Sequence, residues 1–560
     1  MKTTTWAGTE TEYALIFHPD DASCKPANRI LFACLNQAIN EEILVIRGSR
    51  MLTGEPRYFM ENGGCYYFEI PPHSVKGGLI EFATPECESP IQLLHYKFAQ
   101  RCLLKKVRRK AQQILASQGY IGRLAILKNS RDAYDNYYGE QENYLIESQS
   151  YKTHLIYLVT ALLLFIPSFV VTLSINIIAC LVLLLIAVYL ITAIAFKGIR
   201  GTKTSDNEID QFVDRHSGWI TTMIIATQNH FIAYLLTPLS WASNLNFINR
   251  YRNLLCAHLC TRIIYTGCGT VSNERFYLSE KPLRINSVIR ILLSDKAHPV
   301  FETHNFHKNY YRTMLLFSKD AYKQFCSKKQ RLQIGLSDSN MAPIGEYLKL
   351  GTTFLLIEMH KAGFKQNVPQ LLQPLDALKR INNDISLNAA IETNQGSLTA
   401  LEIQHRYLNC AKQFIKEQSV SPQEWIDIVQ LWEKTLVSLE KNPGELFGQI
   451  DWITKYHLIQ QLGCPLSDAA VKKIDLKYHE LETGYFSELE KNDLTSSLLN
   501  DSACESAITE PPNTRASIRS KYMHDLIKKP GKVKVNWSTV TYKKSFLSKA
   551  QVFSLDDYRK

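Results

Sequence analysis

One long stretch of this chain carries no charged side chain. It runs from Leu155 to Phe196 and consists mainly of apolar residues. A bilayer core about 30 Å thick needs roughly 20 apolar residues in a helix, so the stretch has the length of two spans. We expect these spans at Leu155–Ser174 and Ile177–Phe196, with a tight turn at residues 174–176. Two spans return the chain to its starting side, so the flanking sequence can fold as one domain.

Basic residues flank this predicted transmembrane hairpin. Lys152 precedes it, and Lys197, Arg200 and Lys203 follow it. Such flanks favour the cytoplasmic side of a membrane, so we expect a multi-pass protein whose folded body lies in the cytoplasm. The alternative is a buried helical hairpin within a large soluble core. A signal peptide is excluded because Met1–Tyr13 has no apolar segment.

Length, charge and cysteine usage limit the class of protein. A chain of 560 residues can form one large domain with appendages, or two or three domains. The net charge of +11 suits an anionic membrane surface or a nucleotide, and it does not by itself indicate nucleic acid. The 13 cysteines form no CxxC pair. We therefore expect reduced cytosolic thiols rather than a zinc site or a disulfide framework.

The sequence on both sides of the apolar stretch has mixed α and β patterns, which predicts an α+β fold. We expect division into residues 1–150, the hairpin at 151–200, an insertion at 201–251, a second part at 252–480 and a small C-terminal domain at 481–560. Within the insertion, Ser217–Asn249 reads either as interfacial helices or as helices of a soluble core. The other predicted elements are a strand at Trp6–Phe17, a hairpin at Tyr58–Ile70 turning at residues 61–64, helices at Pro90–Ser117, Gly351–Gly363, Leu398–Glu417 and Pro422–Leu439, and a loop at Asp493–Pro512.

Carboxylates recur at a spacing that places them on one face of a strand. Glu10 and Glu12 lie two residues apart, as do Tyr67 and Glu69, and side chains two apart on a strand share a face. A third segment contributes Glu81 and Glu86. Clustered carboxylates repel each other unless a cation lies between them, and Mg²⁺ prefers such oxygen ligands. The alternative is that each glutamate lies on a solvated strand face.

Ordered sequence blocks surround these glutamates. They are GTETEYA from Gly8, EFATPEC from Glu81, LKNSRDAYDNYYGEQENYL from Leu127, SDSNM from Ser337, LKLGTTFLLIEM from Leu348, TALEIQHRYL from Thr399, PPNTR from Pro511 and VNW from Val535. Together they resemble the Pup ligase and Pup deamidase (depupylase) family. The resemblance implies a glutamine synthetase-like fold, in which helices pack on an antiparallel sheet that forms a cradle. The membrane hairpin would be an insertion in that fold.

The resemblance also implies cofactors and site residues. The cofactors would be ATP and Mg²⁺, with magnesium ligands at Glu10, Tyr67 and Glu81, a catalytic carboxylate at Glu69, and nucleotide contacts at Thr84 and Trp537. The substrate would be the side chain of a glutamate or glutamine, on a Pup-like small protein or on another protein. Arg515 is a further candidate because a guanidinium binds phosphate in a bidentate way. Other acidic candidates are Glu12, Glu86 and Glu142.

Several residues depart from the family pattern. Cys65 stands where the family has an arginine that touches ATP, Glu69 replaces a catalytic aspartate, and Gln141 replaces a histidine. A shift of about 1 Å in a catalytic group can cost roughly 100-fold in rate. Two hypotheses therefore follow from the sequence. The first is an ATP- and Mg²⁺-dependent amide-bond enzyme, closer to the deamidases than to the ligases. The second is a membrane-bound scaffold of the same fold that has lost the chemistry.

Overall fold

The computed structural model describes residues 5–21, 25–48, 56–69, 78–131, 138–199, 234–291, 297–303, 310, 319–365, 367–545 and 548–555. Its centre is a nine-stranded sheet in the order β10-β11-β7-β1-β5-β4-β3-β2, with β6 pairing with β1. The nine strands of this sheet are β1 Ala7–Pro19, β2 Val45–Arg47, β3 Tyr58–Met60, β4 Cys65–Glu69, β5 Leu79–Ala83, β6 Gly122–Leu127, β7 Glu140–Glu147, β10 Phe301–Thr303 and β11 Lys329–Ile334. The strands β8 Thr270–Ser272 and β9 Arg275–Tyr277 pair with each other in a separate two-stranded sheet.

All the pairings in this sheet are antiparallel. Helices pack on it, which confirms the predicted α+β class. The helices are α1 Asn28–Glu42, α2 Pro90–Ser117, α3 Tyr151–Ile199, α4 Thr237–Ser243, α5 Asn249–Thr261, α6 Ile263–Thr266, α7 Lys319–Phe325, α8 Pro343–Lys361, α9 Pro374–Asn382, α10 Ala400–Glu417, α11 Gln423–Lys441, α12 Asp451–Gln460, α13 Ala469–Lys477, α14 Tyr485–Lys491, α15 Asp501–Ser506 and α16 Arg515–Ile527.

Most of the elements predicted from periodicity are present. The strand β1, the β3–β4 hairpin, α2, α10 and α11 lie where the sequence predicts them, although Ile70 falls outside the described residues. The predicted helix at Gly351–Gly363 begins earlier, at Pro343, because the preceding turn is also buried. The predicted loop at Asp493–Pro512 contains the short helix α15, which begins where the Asn500 side chain accepts hydrogen bonds from the backbone N–H groups of Ser502 and Ala503.

The sequence before and after the apolar stretch contributes to the same sheet. Strand β7 ends just before the stretch, β11 lies well beyond it, and the two pair with Gln333 opposite Asn143. The chain therefore leaves the body after β7 and returns to it. This pairing agrees with the expectation that the stretch interrupts one domain.

The predicted membrane hairpin is wrong in its geometry. Residues 174–176, where we expected a turn between Leu155–Ser174 and Ile177–Phe196, lie inside α3, which is a single helix over Tyr151–Ile199. The stretch has helical propensity throughout, and Asn176 is tolerated within a helix. Among the described residues, only the α3 segment Tyr151–Val182 is both long and apolar enough to span a membrane.

The first turns of α3 are anchored on the body. The Tyr157 hydroxyl donates to the Phe325 carbonyl at 3.0 Å, and its ring packs against Phe247. Asn246 hydrogen-bonds to His154 at 3.1 Å. Phe247 and Asn246 lie in a turn of π-helix at residues 244–248 within the predicted interfacial segment. Leu239, Ala242, Phe247 and Ile248 of that segment are buried in the main core, as the alternative expects. Trp241, on which the interfacial interpretation depends, is 65% exposed, and residues 217–233, with Trp219, lie outside the described residues.

A second, smaller core lies under the C-terminal region. The helix α16 packs on a three-stranded antiparallel sheet of β14 Lys532–Val535, β15 Thr539–Lys543 and β16 Gln551–Ser554. The buried residues of this core come from both ends of the chain: Ile46, Phe59, Cys65, Ala83, Met523, Leu526, Val535, Val540, Tyr542 and Leu555. The C-terminal region is thereby seated on the β2–β5 part of the main sheet. A two-stranded sheet of β12 Ile391–Thr393 and β13 Gly396–Leu398 lies elsewhere.

Candidate active site

Antiparallel register aligns the candidate acidic residues on one face of the main sheet. Glu12 of β1 lies opposite Glu81 of β5, and Glu81 lies opposite Tyr67 of β4. Glu10 and Glu69 are two residues from Glu12 and Tyr67, so they share that face. We call this surface the cradle face. The sequence prediction that these side chains share one face is confirmed.

Three carboxylates form the closest group on the cradle face. Oxygens of Glu12, Glu69 and Glu81 all lie within 4.8 Å of one another, and we call these residues the acidic triad. Partial burial, followed by the charge of Glu69, raises the pKa of Glu12 to about 8. Burial and then Glu69 also raise the pKa of Glu81 well above its usual value. The group is electrostatically unfavourable by itself, so it fits a divalent cation.

The surrounding atoms leave this group open to a ligand. Oε2 of Glu69 is buried, and no described atom hydrogen-bonds to it. Glu12 is fixed by the backbone N–H of Gly139, which donates to its Oε2 at 2.8 Å. Gly139 has a φ of +148°, and a Cβ there would come within 2.3 Å of Lys281 Cε. The Lys281 side chain could move aside, but the positive φ itself favours glycine at the position that holds Glu12.

Glu10 and Tyr67 lie beside the acidic triad. Oε1 of Glu10 is 3.1 Å from Nη1 of Arg331, a residue of β11. Burial, then Glu81 and Glu10, raise the pKa of the Tyr67 phenol. The structure thus places the predicted ligands Glu10, Tyr67 and Glu81 on one face. However, the carboxylate that lies closest to Glu69 and Glu81 is that of Glu12, whereas Glu10 forms an ion pair with Arg331. The assignment of magnesium ligands remains a prediction.

The predicted nucleotide contacts lie at the edge of the cradle face. The Trp537 ring packs edge-on against Phe59, with centroids 5.4 Å apart. Thr84, at the end of β5, is buried, and its hydroxyl accepts the N–H of Thr9 at 3.0 Å. The Arg519 guanidinium lies 4.8 Å from the Trp537 ring centroid and fixes the indole beside the sheet.

Arg515 and Glu86 form part of a buried ion cluster. Nε of Arg515 donates to Oε1 of Glu86 at 2.5 Å, and Nη2 of Arg519 donates to the same oxygen at 2.8 Å. Burial acts to raise the pKa of Glu86, but the two arginines outweigh it and hold the pKa at about 2. This cluster joins α16 to the main sheet. Arg515 therefore has a carboxylate partner, and its predicted role in binding phosphate gains no support from this geometry.

Glu142 does not lie at the site. It is on β7, but its side chain is fully buried next to Arg262 and accepts the Tyr144 hydroxyl at 2.8 Å. Gln141, its neighbour in sequence, lies opposite Glu10 and receives a hydrogen bond from Gln333. Alternation along the strand sends the two side chains to opposite faces, so the candidate Glu142 is corrected to a structural residue.

The sequence reading missed the basic residues around the carboxylates. Arg331 contacts Glu10, Lys281 acts on Glu12, and Arg57 lies over the Tyr67 ring. These residues come from separate segments, and no motif links them to the glutamates. Arg519 could have been inferred, because it lies one helical turn after Arg515 and shares its face.

Comparisons with known proteins agree with this architecture. The profile of the family described as Pup-ligase protein matches residues 6–541. The chain is 24% identical to the Pup–protein ligase of Acidimicrobium ferrooxidans over 474 residues, covering 83% of this chain and 79% of that protein. It is 31% identical to the depupylase of Acidothermus cellulolyticus over 204 residues, covering 35% of this chain and 41% of that protein.

Two solved structures share the fold. The ligase PafA in complex with the prokaryotic ubiquitin-like protein Pup superposes with a TM-score of 0.66 at 20% identity, covering 99% of this chain and 89% of the ligase. PafA in complex with ADP gives a TM-score of 0.62 at 18% identity, covering 90% of this chain and 87% of that one. Since the family profile spans nearly the whole sequence, the chain belongs to the Pup-ligase protein family and is a ligase-type enzyme.

Proposed function

We propose that this protein is an ATP- and Mg²⁺-dependent enzyme that forms or opens an amide or isopeptide bond at a glutamate or glutamine side chain of Pup or a Pup-like protein. The observation that carries the proposal is the acidic triad of Glu12, Glu69 and Glu81, which a divalent cation would stabilise and which lies on the same sheet face as Trp537. The Pup–protein ligases and the depupylase among its relatives support the substrate class. The ADP complex of PafA supports the nucleotide.

The residues of the chain divide into three roles in this proposal. Glu12, Glu81 and Tyr67 would hold the cation, which would supply charge neutralisation for the phosphates and for the oxyanion that develops. Trp537 offers an aromatic surface for a base. Glu69 has one oxygen without a hydrogen bond among the described residues, and we assign to it the acceptance of a proton from the attacking nucleophile.

A paired assay tests the proposal and its direction. Purified protein is incubated with Mg²⁺, ATP and Pup that ends either in glutamine or in glutamate, with a lysine-bearing acceptor protein. Mass spectrometry then reports deamidation of the glutamine form or conjugation of the glutamate form, and Glu81→Gln is expected to abolish either product. Glu41→Gln serves as the matched control, because Glu41 is an exposed residue of α1 that pairs with Lys110 of α2.

The scaffold hypothesis gives the opposite result in the same assay. Cys65 is fully buried in the second core, and the Gln141 side chain is engaged by Gln333, so neither offers the group that the family pattern has there. A protein that binds nucleotide yet yields no product from either Pup form fits the scaffold hypothesis. A protein that binds no nucleotide contradicts both hypotheses.

We propose in addition that α3 holds the protein at a membrane. Beyond its anchored first turns, α3 exposes a long series of apolar side chains: Leu162, Leu163, Ile166, Val170, Leu173, Ile177, Ile178, Leu181, Leu184, Leu185, Val188 and Ile191. Exposed apolar surface of this extent is typical of membrane contact. Lys152 lies at the anchored end of α3 and favours the cytoplasmic side for the folded part of the chain. Flotation with liposomes tests this; protein that stays with the soluble fraction would contradict it.

A further inference from the structure

Arg57 lies at an unusual place on the cradle face. It immediately precedes β3, where Tyr58 pairs with Tyr66 and Phe59 with Cys65. The same register places Arg57 beside Tyr67, and its guanidinium carbon is 5.2 Å from the centroid of the Tyr67 ring. The backbone is fixed, because the Arg57 carbonyl accepts the N–H of Gly48 at 2.7 Å.

The guanidinium of Arg57 has unused hydrogen-bond donors. Among the described residues, the guanidinium makes no hydrogen bond or ion pair with the protein, and it packs on the Tyr67 ring. An arginine has five N–H donors, and those of Arg57 are not among the buried polar atoms without a partner in the described part of the chain, so solvent or a ligand can reach them. Burial acts to lower the pKa of Arg57, whereas Cys65, Tyr67, Glu10 and Glu81 raise it. All four of these groups lie on the cradle face, so the Arg57 side chain lies on that face as well.

Arg57 lies between the two parts of the proposed site. The ring of Phe59, two residues further along the strand, packs edge-on against the ring of Trp537. Tyr67, on the other side, lies opposite Glu81 of the acidic triad. Residues two apart on a strand are separated by roughly 7 Å. A nucleotide that stacks near Trp537 and reaches a cation at the triad therefore has its phosphates beside Arg57.

The neighbouring strand β4 offers no positive charge of its own beside Arg57. Cys65 is fully buried and can supply no positive charge. Arg57 lies one strand away and on the same face. A guanidinium at this place can reach the region that a side chain from position 65 would otherwise serve.

We propose that Arg57 binds the phosphates of the nucleotide, and so replaces from β3 the positive charge that β4 lacks at Cys65. This assignment rests on the nucleotide site in the proposed function. The planar fork of an arginine binds phosphate oxygens in a bidentate way. Arg57 is therefore a nucleotide-contacting residue rather than a support for the Tyr67 ring alone.

The test is calorimetric titration with ADP and, separately, with adenosine, both in the presence of Mg²⁺. We expect Arg57→Ala to weaken ADP binding by about 10- to 100-fold, the range of a lost charge-assisted hydrogen bond, and to leave adenosine binding unchanged. Arg29→Ala is the matched control, since Arg29 stacks on Phe68 of the same strand pair at 5.4 Å but on the opposite face.

The possible outcomes separate this assignment from the proposed function. Wild-type protein that binds ADP no more tightly than it binds adenosine, or Arg57→Ala that binds ADP as tightly as wild type, overturns the role of Arg57 while leaving the nucleotide site standing. An equal loss in Arg29→Ala also overturns it, because the effect would then be general destabilisation. Wild-type protein that binds neither compound overturns both proposals. Thermal unfolding of each variant verifies that it is folded.

Discussion

Glu12 and Glu81 lie directly opposite each other on the neighbouring strands β1 and β5, with carboxylate oxygens within 4.8 Å of each other and of Glu69. Two acidic side chains in direct cross-strand register destabilise a sheet. The fold tolerates the pair because a proton or a cation can occupy the space between them. The first prediction follows from that competition.

Metal-free protein should lose stability as the pH rises from about 5 to 9. The folded-state pKa of Glu12 is about 8, above its usual value of 4.5, so its contribution is complete below pH 4.5 and disappears as the pH passes through 8. Glu12→Gln should remove this slope, which we expect to be on the order of 3 kcal/mol. Urea unfolding at pH 6 and pH 9 measures it. Added Mg²⁺ should stabilise wild type more at pH 9, and an equal effect at both values would contradict the account.

Replacing Glu86 should weaken the attachment of α16. Glu86→Gln leaves Arg519 buried without its charged partner, and we expect a loss of about 3–5 kcal/mol in the free energy of unfolding at pH 7. Because the pKa of Glu86 is held at about 2, the contribution is present above pH 4.5 and disappears as the pH falls toward 2. The difference between variant and wild type should therefore shrink at pH 3.

The control for Glu86 is a surface pair of similar geometry. Glu41 lies 2.7 Å from Lys110, and both side chains are about two-fifths exposed. Glu41→Gln should leave the free energy of unfolding close to that of wild type, because solvent screens exposed pairs. Urea unfolding compares the two variants, and equal losses would mean that burial of the Glu86 cluster contributes nothing.

Glu142→Gln should lower stability without changing nucleotide affinity. Glu142 is buried beside Arg262, and removing one charge of a buried pair costs about 3–5 kcal/mol. The side chain points away from the cradle face, so the dissociation constant for MgATP should equal that of wild type. Thermal unfolding and calorimetric titration of the same sample measure the two quantities. A tenfold weaker affinity for MgATP with unchanged stability would contradict this account and indicate that Glu142 belongs to the nucleotide site.

The hairpin turn at Gly63 should be a contact point for the C-terminal region. Gly63 has a φ of +86°, and a Cβ there would come within 2.6 Å of the Ala516 Cβ. Gly119 has a similar φ of +89°, with no atom near the corresponding position. Gly119→Ala should cost about 1 kcal/mol for the left-handed conformation alone. Gly63→Ala should cost clearly more in thermal unfolding, and equal costs would contradict close packing at the turn.

Local patterns predicted the parts of this fold that depend on neighbouring residues in sequence. The helix α2 and the β3–β4 hairpin follow from periodicity and from the Asn62-Gly63 turn. The turn expected at residues 174–176 failed because apolar composition gives length, but a single Asn within a long apolar run does not fix where a helix ends.

The site was only partly predictable for a related reason. Spacing placed Glu10, Glu12 and Glu69 on strand faces, but the choice of Glu12 over Glu10 for the closest carboxylate group depends on Gly139 and Arg331. Those partners come from distant segments, and cross-strand register decides which of them meet. Arg57 was missed for the same reason.

Calorimetric titration of ATP into the protein, with and without Mg²⁺, tests the central claim most directly. We predict that wild type binds ATP with Mg²⁺, that omission of Mg²⁺ weakens binding at least tenfold, and that Glu81→Gln behaves with Mg²⁺ as wild type does without it. Binding of ATP that is indifferent to both Mg²⁺ and Glu81→Gln, or no binding at all, would contradict a metal-assisted nucleotide site at the acidic triad.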